Sequence, residues 1–273
     1  MTIEIREMKS GDLVAADSLR NLAGWNQTAT DWNRILNYQP NGCFVAVNAD
    51  RIVGTVTTTC YGRKLAWIGM MLVHPDFRRR GIGTALMERA LDFLTAQQIE
   101  CVKLDATPAG RPVYERLGFK AEWSFHRWQG LGLADSPVES ISNVNGSSVQ
   151  SFDEPESVFG ACRELWLQAL AVDSTVERTA GGFGMLRTGS RATYLGPVSA
   201  QSCSVAESLI GTLLRQTSGP VFWDIPSPNE DALLTATALG FQPTRELTRM
   251  WTGKTLNSPD LSKQYALSDP GMG

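Results

Sequence analysis

Apolar and polar positions follow a two-residue period in some stretches and a helical period in others, and the changes of period mark out the elements. Residues 2–7 alternate, with Ile3 and Ile5 on one face, and predict a first strand. Ser10 is placed to cap a helix from Asp12 to about Ala23, and Asp31 to Tyr38 predicts a second short helix. Between them lies the turn-rich segment 23–28, which carries Trp25. Pro40-Asn41-Gly42 is a turn, Cys43–Val47 an apolar strand, and Asn48–Arg51 a hairpin signal before the strand Ile52–Cys60. Tyr61–Lys64 then connects tightly into a stretch running from Trp67 to Leu94.

That stretch organises the chain. Ile68–Val73 is apolar enough for a fully buried strand, and His74-Pro75-Asp76 ends it, because proline cannot donate to a ladder and restrains its predecessor. Arg78, Arg79, Arg80 and Gly81-Ile82-Gly83 follow, and Thr84 opens a helix whose apolar residues recur at helical spacing through Leu94. A strand, a basic glycine turn and a helix N-terminus together make an anion cradle: exposed N–H groups and the positive end of the helix dipole favour phosphate. Glu100–Asp105 predicts another strand, Val113–Leu117 a short helix stopped by Gly118, and Phe119–Trp128 a last strand or pair of strands.

From Gly130 to Glu154 the composition shifts to Gly, Ser, Asn, Asp and Pro, which predicts a linker over 131–154 between a unit at 1–130 and a second at 155–273. The second unit reads as a helix from Pro155 to Val172, strands Phe183–Leu186 and Ala192–Val198, a helix Ser204–Gln216, a strand Val221–Ile225, a helix Glu230–Leu239 and a strand ending at Met250-Trp251. Anchors of the first unit return in order: Ala66-Trp67-Ile68-Gly69 as Thr193-Tyr194-Leu195-Gly196, Asp105 as Asp224, Leu117-Gly118-Phe119 as Leu239-Gly240-Phe241, and Trp128 as Trp251. The cradle is not repeated. Residues 201–206 have neither its glycines nor its arginines, so the second unit is not expected to hold the same phosphate.

Composition narrows the classes. A net charge of −3 argues against a nucleic-acid binder and makes the arginine cluster a local feature. No apolar run reaches membrane-spanning length, and residues 1–12 lack the apolar core of a signal peptide. Five scattered cysteines within apolar runs predict reduced thiols in a cytoplasmic protein, and no Cys or His pair has zinc spacing, so no metal is expected.

Three phosphate ligands compete for the cradle. A P-loop needs a lysine before the Ser/Thr, and Gly83-Thr84 has none. A dinucleotide fingerprint would use Gly81, Gly83 and Asp105, but its third small position is Leu86, and His74–Arg80 separate the strand from the first glycine. The run Val73-x-Pro75-x-Phe77-Arg78-x-x-Gly81-Ile82-Gly83 instead resembles the acyl-CoA-binding motif of the GNAT acetyltransferase superfamily. Tyr114-Glu115-Arg116-Leu117-Gly118-Phe119 resembles that family's C-terminal Tyr-x-x-x-Gly-Phe motif. The likeness covers roughly residues 3–130, and the second unit resembles a degenerate GNAT-like domain found behind such a module.

The resemblance implies an α/β (α+β) fold of two GNAT-like domains, each a mixed, mostly antiparallel twisted sheet flanked by helices, with splayed central strands in the first. It implies acetyl-CoA as co-substrate, its pyrophosphate on the amides of 79–84 (Arg79, Arg80, Gly81, Ile82, Gly83, Thr84) with Arg78 adding charge, and its pantetheine arm along Met71, Leu72 and Val73. Tyr114 takes the family's place of general acid toward the departing thiolate, which suits a side chain that keeps its proton at neutral pH. The family often places an acid on the fourth strand, but Leu65–Val73 contains none, so Asp105 is the first candidate base, with Glu122 and His126 behind it. Trp25, Asn26, Asp31 and Tyr61 fall where such proteins build the acceptor pocket. The expected function is N-acetyl transfer to a primary amine of a small molecule or peptide, by a monomer or homodimer without nucleic-acid or membrane partners. The alternative is a non-catalytic acyl-CoA or metabolite sensor.

Overall fold

The computed structural model describes residues 3–134 and 151–273, so most of the expected linker lies outside the described residues. In the first half the order is β1 (Ile3–Glu7), α1 (Leu13–Ala23), α2 (Ala29–Tyr38), β2 (Cys43–Asn48), β3 (Arg51–Tyr61), β4 (Leu65–Val73), α3 (Ile82–Ala96), β5 (Cys101–Ala106), α4 (Arg111–Arg116) and β6 (Lys120–Leu131). The second half begins with α5 (Glu156–Phe159), α6 (Glu164–Ala171), β7 (Ser174–Thr179), β8 (Gly182–Arg187) and β9 (Thr193–Ala200). It continues with α7 (Cys203–Leu214), β10 (Pro220–Pro226), α8 (Glu230–Ala238), β11 (Gln242–Gly253) and β12 (Gln264–Ala266). The helix expected from Pro155 to Val172 is broken, because Gly160 adopts a left-handed φ of 103° and ends α5. β7 and β12 went unpredicted; β7 is too polar and exposed to show a buried face in the sequence.

All 12 described strands join one mixed, mostly antiparallel sheet, in the order β1-β2-β3-β4-β5-β11-β6-β10-β9-β8-β7 with β12 on β9. Among them, only β4–β5 and β9–β10 pair in parallel. The two halves exchange their closing strands. β11 from the second half lies between β5 and β6, and β6 from the first lies between β11 and β10. On one face α3 buries Ile82, Leu86, Met87, Ala90, Phe93 and Leu94 against β2–β5, and α7 and α8 cover the second half. On the other face α1, α2 and α6 share a core with Trp67 and with Met272, from a terminal segment, residues 267–273, that runs between the halves.

Strand exchange brings two buried ion pairs into being. Arg249 on β11 faces Asp105 on β5, bonding both carboxylate oxygens at 2.9 Å. Arg127 on β6 faces Asp224 on β10 at 2.8 and 2.6 Å, and Tyr194 donates to the same carboxylate at 2.8 Å. This register equates Arg127 with Arg249, so Met250 rather than Trp251 occupies the position of Trp128, each packing beneath the helices of the other half.

Both partners of the Arg127–Asp224 pair are nearly inaccessible, at 6% and 0% side-chain exposure, so removing one leaves an uncompensated buried charge. Asp224→Ala is expected to lower unfolding free energy by about 3–5 kcal/mol in urea denaturation, and Asp224→Leu combined with Arg127→Met should recover most of it. A single variant as stable as the parent would mean that the pair contributes nothing to joining the halves.

Candidate active site

The site begins where β4 and β5 part. They pair only through Leu65–Cys101, Ala66–Val102 and Trp67–Lys103. Beyond Trp67, β4 carries a bulge against β3: three steps from Gly69 to Leu72 face two from Thr57 to Thr55. Met70 takes up the extra residue with a φ of 47°, and Thr55 Oγ1 donates to its carbonyl at 2.7 Å. A bulge bends its strand and re-aims its backbone, here widening the gap toward β5.

One mouth of the gap is a groove of about 500 Å³ between β4, the N-terminus of α3 and α4. Gly81 caps α3 with a left-handed φ of 79° and no side-chain bond, which leaves the first-turn N–H groups free. Arg79 is also left-handed, at φ 59°, while Arg80 between them is not. Such alternation gathers successive amides into an anion-binding concavity. A methyl group added at Gly81 would meet open space, and one at Gly83 would lie 3.0 Å from Met71 Cε, so the loop stays open to a ligand while α3 packs close to β4.

The other mouth is a smaller cavity of about 50 Å³. Part of its wall is Pro270 and Gly271, which close over β4. A methyl group at Gly69 would lie 2.0 Å from the Gly271 carbonyl oxygen, so this crossing requires glycine. Trp67 Nε1 donates to Pro270 O at 3.2 Å, Asp269 accepts from Gly271 N at 2.7 Å, and Arg187 Nη2 donates to Ser268 O. Trp25, Met71, Asp105, Thr107 and Tyr114 line both cavities and form the junction.

The expected site residues divide accordingly. Met71, Val73, Arg78, Arg79, Gly81, Ile82, Gly83 and Thr84 line the groove. Leu72 turns its side chain into the opposite core, leaving only its backbone to the gap, and Arg80 lays its guanidinium 5.5 Å from the Phe77 ring centre rather than on the groove wall. Tyr114 sits on α4, half-buried, and burial pushes its hydroxyl up to about 12. Asp105 does not cap the Thr107–Gly110 turn; Thr107 Oγ1 does that, accepting from Gly110 N at 3.2 Å. Burial raises the Asp105 carboxyl to about 6 despite the opposing guanidinium of Arg249.

Three acceptor-pocket expectations are corrected. Asp31 is buried in the capping box of α2, its oxygens bonded to Thr28 and to Arg34 at 2.7 Å. Asn26 clamps the halves together, bonding the backbone of Arg191 and Ala192 through both ends of its amide. Tyr61 is 2% exposed and donates to Met272 O. Trp25 alone of the four lines a cavity. Glu122 is taken by Lys103 at 2.9 Å and His126 lies beside Ser227, so neither rival base reaches the junction. Sequence reasoning missed Gln27, Arg245, Arg249 and the wall of Pro270 and Gly271. Three of these come from the second half, and no local pattern announces which strand will be inserted beside β5.

The acetyltransferase (GNAT) family profile matches residues 14–119, and a second acetyltransferase (GNAT) domain profile matches 153–266. The chain belongs to the GNAT family. Among curated relatives, an uncharacterized N-acetyltransferase of Bacillus subtilis, YitH, is 23% identical over 201 residues, covering 70% of each chain. The holothin acyltransferase of a Pseudoalteromonas species is 24% identical over 241 residues, 84% of this chain and 81% of its own. A crystal structure of a Pyrococcus horikoshii protein assigned provisionally as an acetyltransferase superposes over 99% of this chain and 96% of its own, with a TM-score of 0.87 at 24% identity. A tandem GNAT protein from the clavulanic acid biosynthesis pathway covers 92% of this chain and 98% of its own, with a TM-score of 0.63 at 16% identity. Two GNAT domains in tandem and acyl transfer as the general chemistry are thus common ground between this GNAT chain and its relatives. Among the described residues no group of three or more His, Cys, Asp or Glu could hold a metal, and no helix is long and apolar enough to cross a membrane.

Proposed function

We propose that the protein transfers an acetyl group from acetyl-CoA to a primary amine by direct attack in a ternary complex. The observation that carries this reading is the junction: a phosphate-accepting groove and a second cavity meet at Tyr114 and Asp105. The groove suits the co-substrate. Its uncapped helix N-terminus and Gly81 accept a diphosphate, Arg78, Arg79 and Arg116 line it with positive charge, and Met71 and Val73 offer an apolar path for the pantetheine arm. The acetyl-bearing end of that arm then lies in the gap between β4 and β5. There a backbone N–H released by the bulge would stabilise the oxyanion, a contribution of about 3 kcal/mol.

The amine arrives from the smaller cavity as an ammonium and must lose a proton before its nitrogen can attack the thioester carbonyl carbon. Among the described residues, Asp105 is the only acid lining either cavity. Arg249 holds it by both oxygens, which tends to weaken it as a base, yet burial outweighs that pairing and brings its carboxyl to about 6. At pH 7 it is therefore mostly ionised, with lone pairs left to take the proton. As the C–N bond forms and the C–S bond breaks, Tyr114 gives its proton to the departing thiolate, and the second proton shed by the new amide nitrogen restores the hydroxyl. Its hydroxyl, raised to about 12, is fully protonated beforehand.

Three outcomes test the reading. Tyr114→Phe should lower kcat by ~100-fold or more while acetyl-CoA affinity in isothermal titration stays within a few-fold; unchanged turnover would remove Tyr114 from the mechanism. Gly81→Glu places a negative side chain in the cradle at a left-handed φ and should abolish heat of acetyl-CoA binding, so tight binding by this variant would refute the phosphate assignment. Because Asp105 must be ionised to accept a proton, kcat/KM should rise with pH through about 6, and Asp105→Asn should erase that limb. A limb unaltered in the variant would transfer the role of base to another group.

A further inference from the structure

Two polar atoms in the smaller cavity are buried and lack partners, and they have opposite needs. Gln27 is 6% exposed and donates through Nε2 to both oxygens of Asp269, at 2.7 and 2.9 Å. That pairing fixes the amide orientation, since the reverse would set oxygen against carboxylate. It leaves Gln27 Oε1 as an acceptor with no donor. Arg245 on β11 lines the same cavity, and its Nε is a buried donor with no acceptor.

The neighbouring carboxylates are engaged elsewhere. Asp105 is held by Arg249, Asp224 by Arg127 and Tyr194, and Asp269 by Gln27 with Arg187 at 3.9 Å. Arg127, opposite Arg245 in the register, adds a like charge, and burial followed by that repulsion lowers the pKa of the Arg245 guanidinium. A guanidinium in such surroundings is costly unless an anion completes it, and its planar fork matches a carboxylate.

We infer that the acceptor is a small zwitterion of the amino-acid class, with its amine between Asp105 and Gln27 Oε1 and its carboxylate on Arg245. This deepens the acetyl-transfer reading and rests on it for the reacting end. The register from Arg245 to Arg249 is unbroken, so Arg245 and the position opposite Asp105 are four residues apart on one face of β11. That separates their backbones by about 13 Å, a span that an arginine side chain, an aspartate and a two-charge ligand with its ion contacts fill between them. A volume of about 50 Å³ favours a ligand of few heavy atoms over a folded protein surface.

The test uses matched pairs that differ only in the carboxylate: alanine and ethylamine, serine and ethanolamine, leucine and isoamylamine. Binding to the CoA-loaded full chain is read by saturation-transfer NMR, and acetylation by thiol release. At least one amino acid should give a saturation signal ten-fold or more above that of its amine. Arg245→Gln should remove the difference while keeping acetyl-CoA affinity within two-fold, and Arg245→Lys should restore part of it. Equal signals within every pair, no signal from any amino acid, or a preference unchanged in Arg245→Gln would each overturn the zwitterion site. If amino acids bind in this Arg245-dependent way yet none is acetylated, the site stands and the transfer reading falls. Acetylation of bare amines with no contribution from Arg245 would overturn the zwitterion site and leave the transfer reading standing.

Discussion

The exchange of closing strands is the constraint from which the site follows. Because β11 lies between β5 and β6, the sheet that holds Asp105 is completed by residues some 140 positions later, as the Asp105–Arg249 separation of 144 shows. Arg249 and Arg245 reach the junction on that strand, and the segment after β12 follows it across β4. The second half is therefore structural material of the first half's candidate site, not an appended module. Separating the halves would strip β5 of its neighbour and leave Asp105 without a counter-charge.

The buried acid carries a measurable cost. A carboxyl raised from 3.8 to about 6 in the folded state is protonated more readily there than in the unfolded chain. Between those values the folded protein binds the extra proton, so the contribution of Asp105 to stability is greatest at low pH and declines as pH rises through about 6. At neutral pH the fold thus keeps a destabilising charge, which fits the proton-accepting role proposed for it. Its counterpart Asp224 is sealed by Arg127 and Tyr194 and faces neither cavity of the junction.

The other parts of the machinery diverge between the halves in the same direction. The N-terminus of α3 is left uncapped by Gly81, whereas α7 is capped by Ser202, whose side chain accepts from Val205 N at 3.4 Å and satisfies the helix internally. Counting back four residues from the shared Gly-Phe, Tyr114 corresponds to Ala236, which is fully buried in the core. The Ser202 cap emerges only with the helix bounds in the structure, whereas the missing glycine turn was legible in the sequence as a local signal. The buried strand Leu65–Val73, the cradle and α3 were legible for the same reason. Asn26, Asp31 and Tyr61 were misassigned because a polar side chain near a pocket reads alike whether it meets a ligand or another part of the chain. Here the partners are Ala192, Arg34 and Met272, the first and last of them more than 160 residues away.

The cavity proposed for the acceptor owes its shape to the path of the terminal segment. Two glycines at equivalent places in the repeat allow it to pass close to the sheet: Gly69 under Gly271, and Gly196, where a methyl group would lie 2.0 Å from Leu267 O. The same motif position therefore serves both halves, but with different results. At Gly196 the segment lies close on β9, where β12 just before it pairs; at Gly69 it stops short of the splay, leaving a cavity in which Gln27 Oε1 and Arg245 Nε are buried without partners. On the proposed reading Pro270 and Gly271 limit the acceptor's size and Arg245 and Asp105 meet its charges, and of these four only Asp105 comes from the half that carries the cradle. On that reading the cofactor meets one repeat only, while the acceptor meets both.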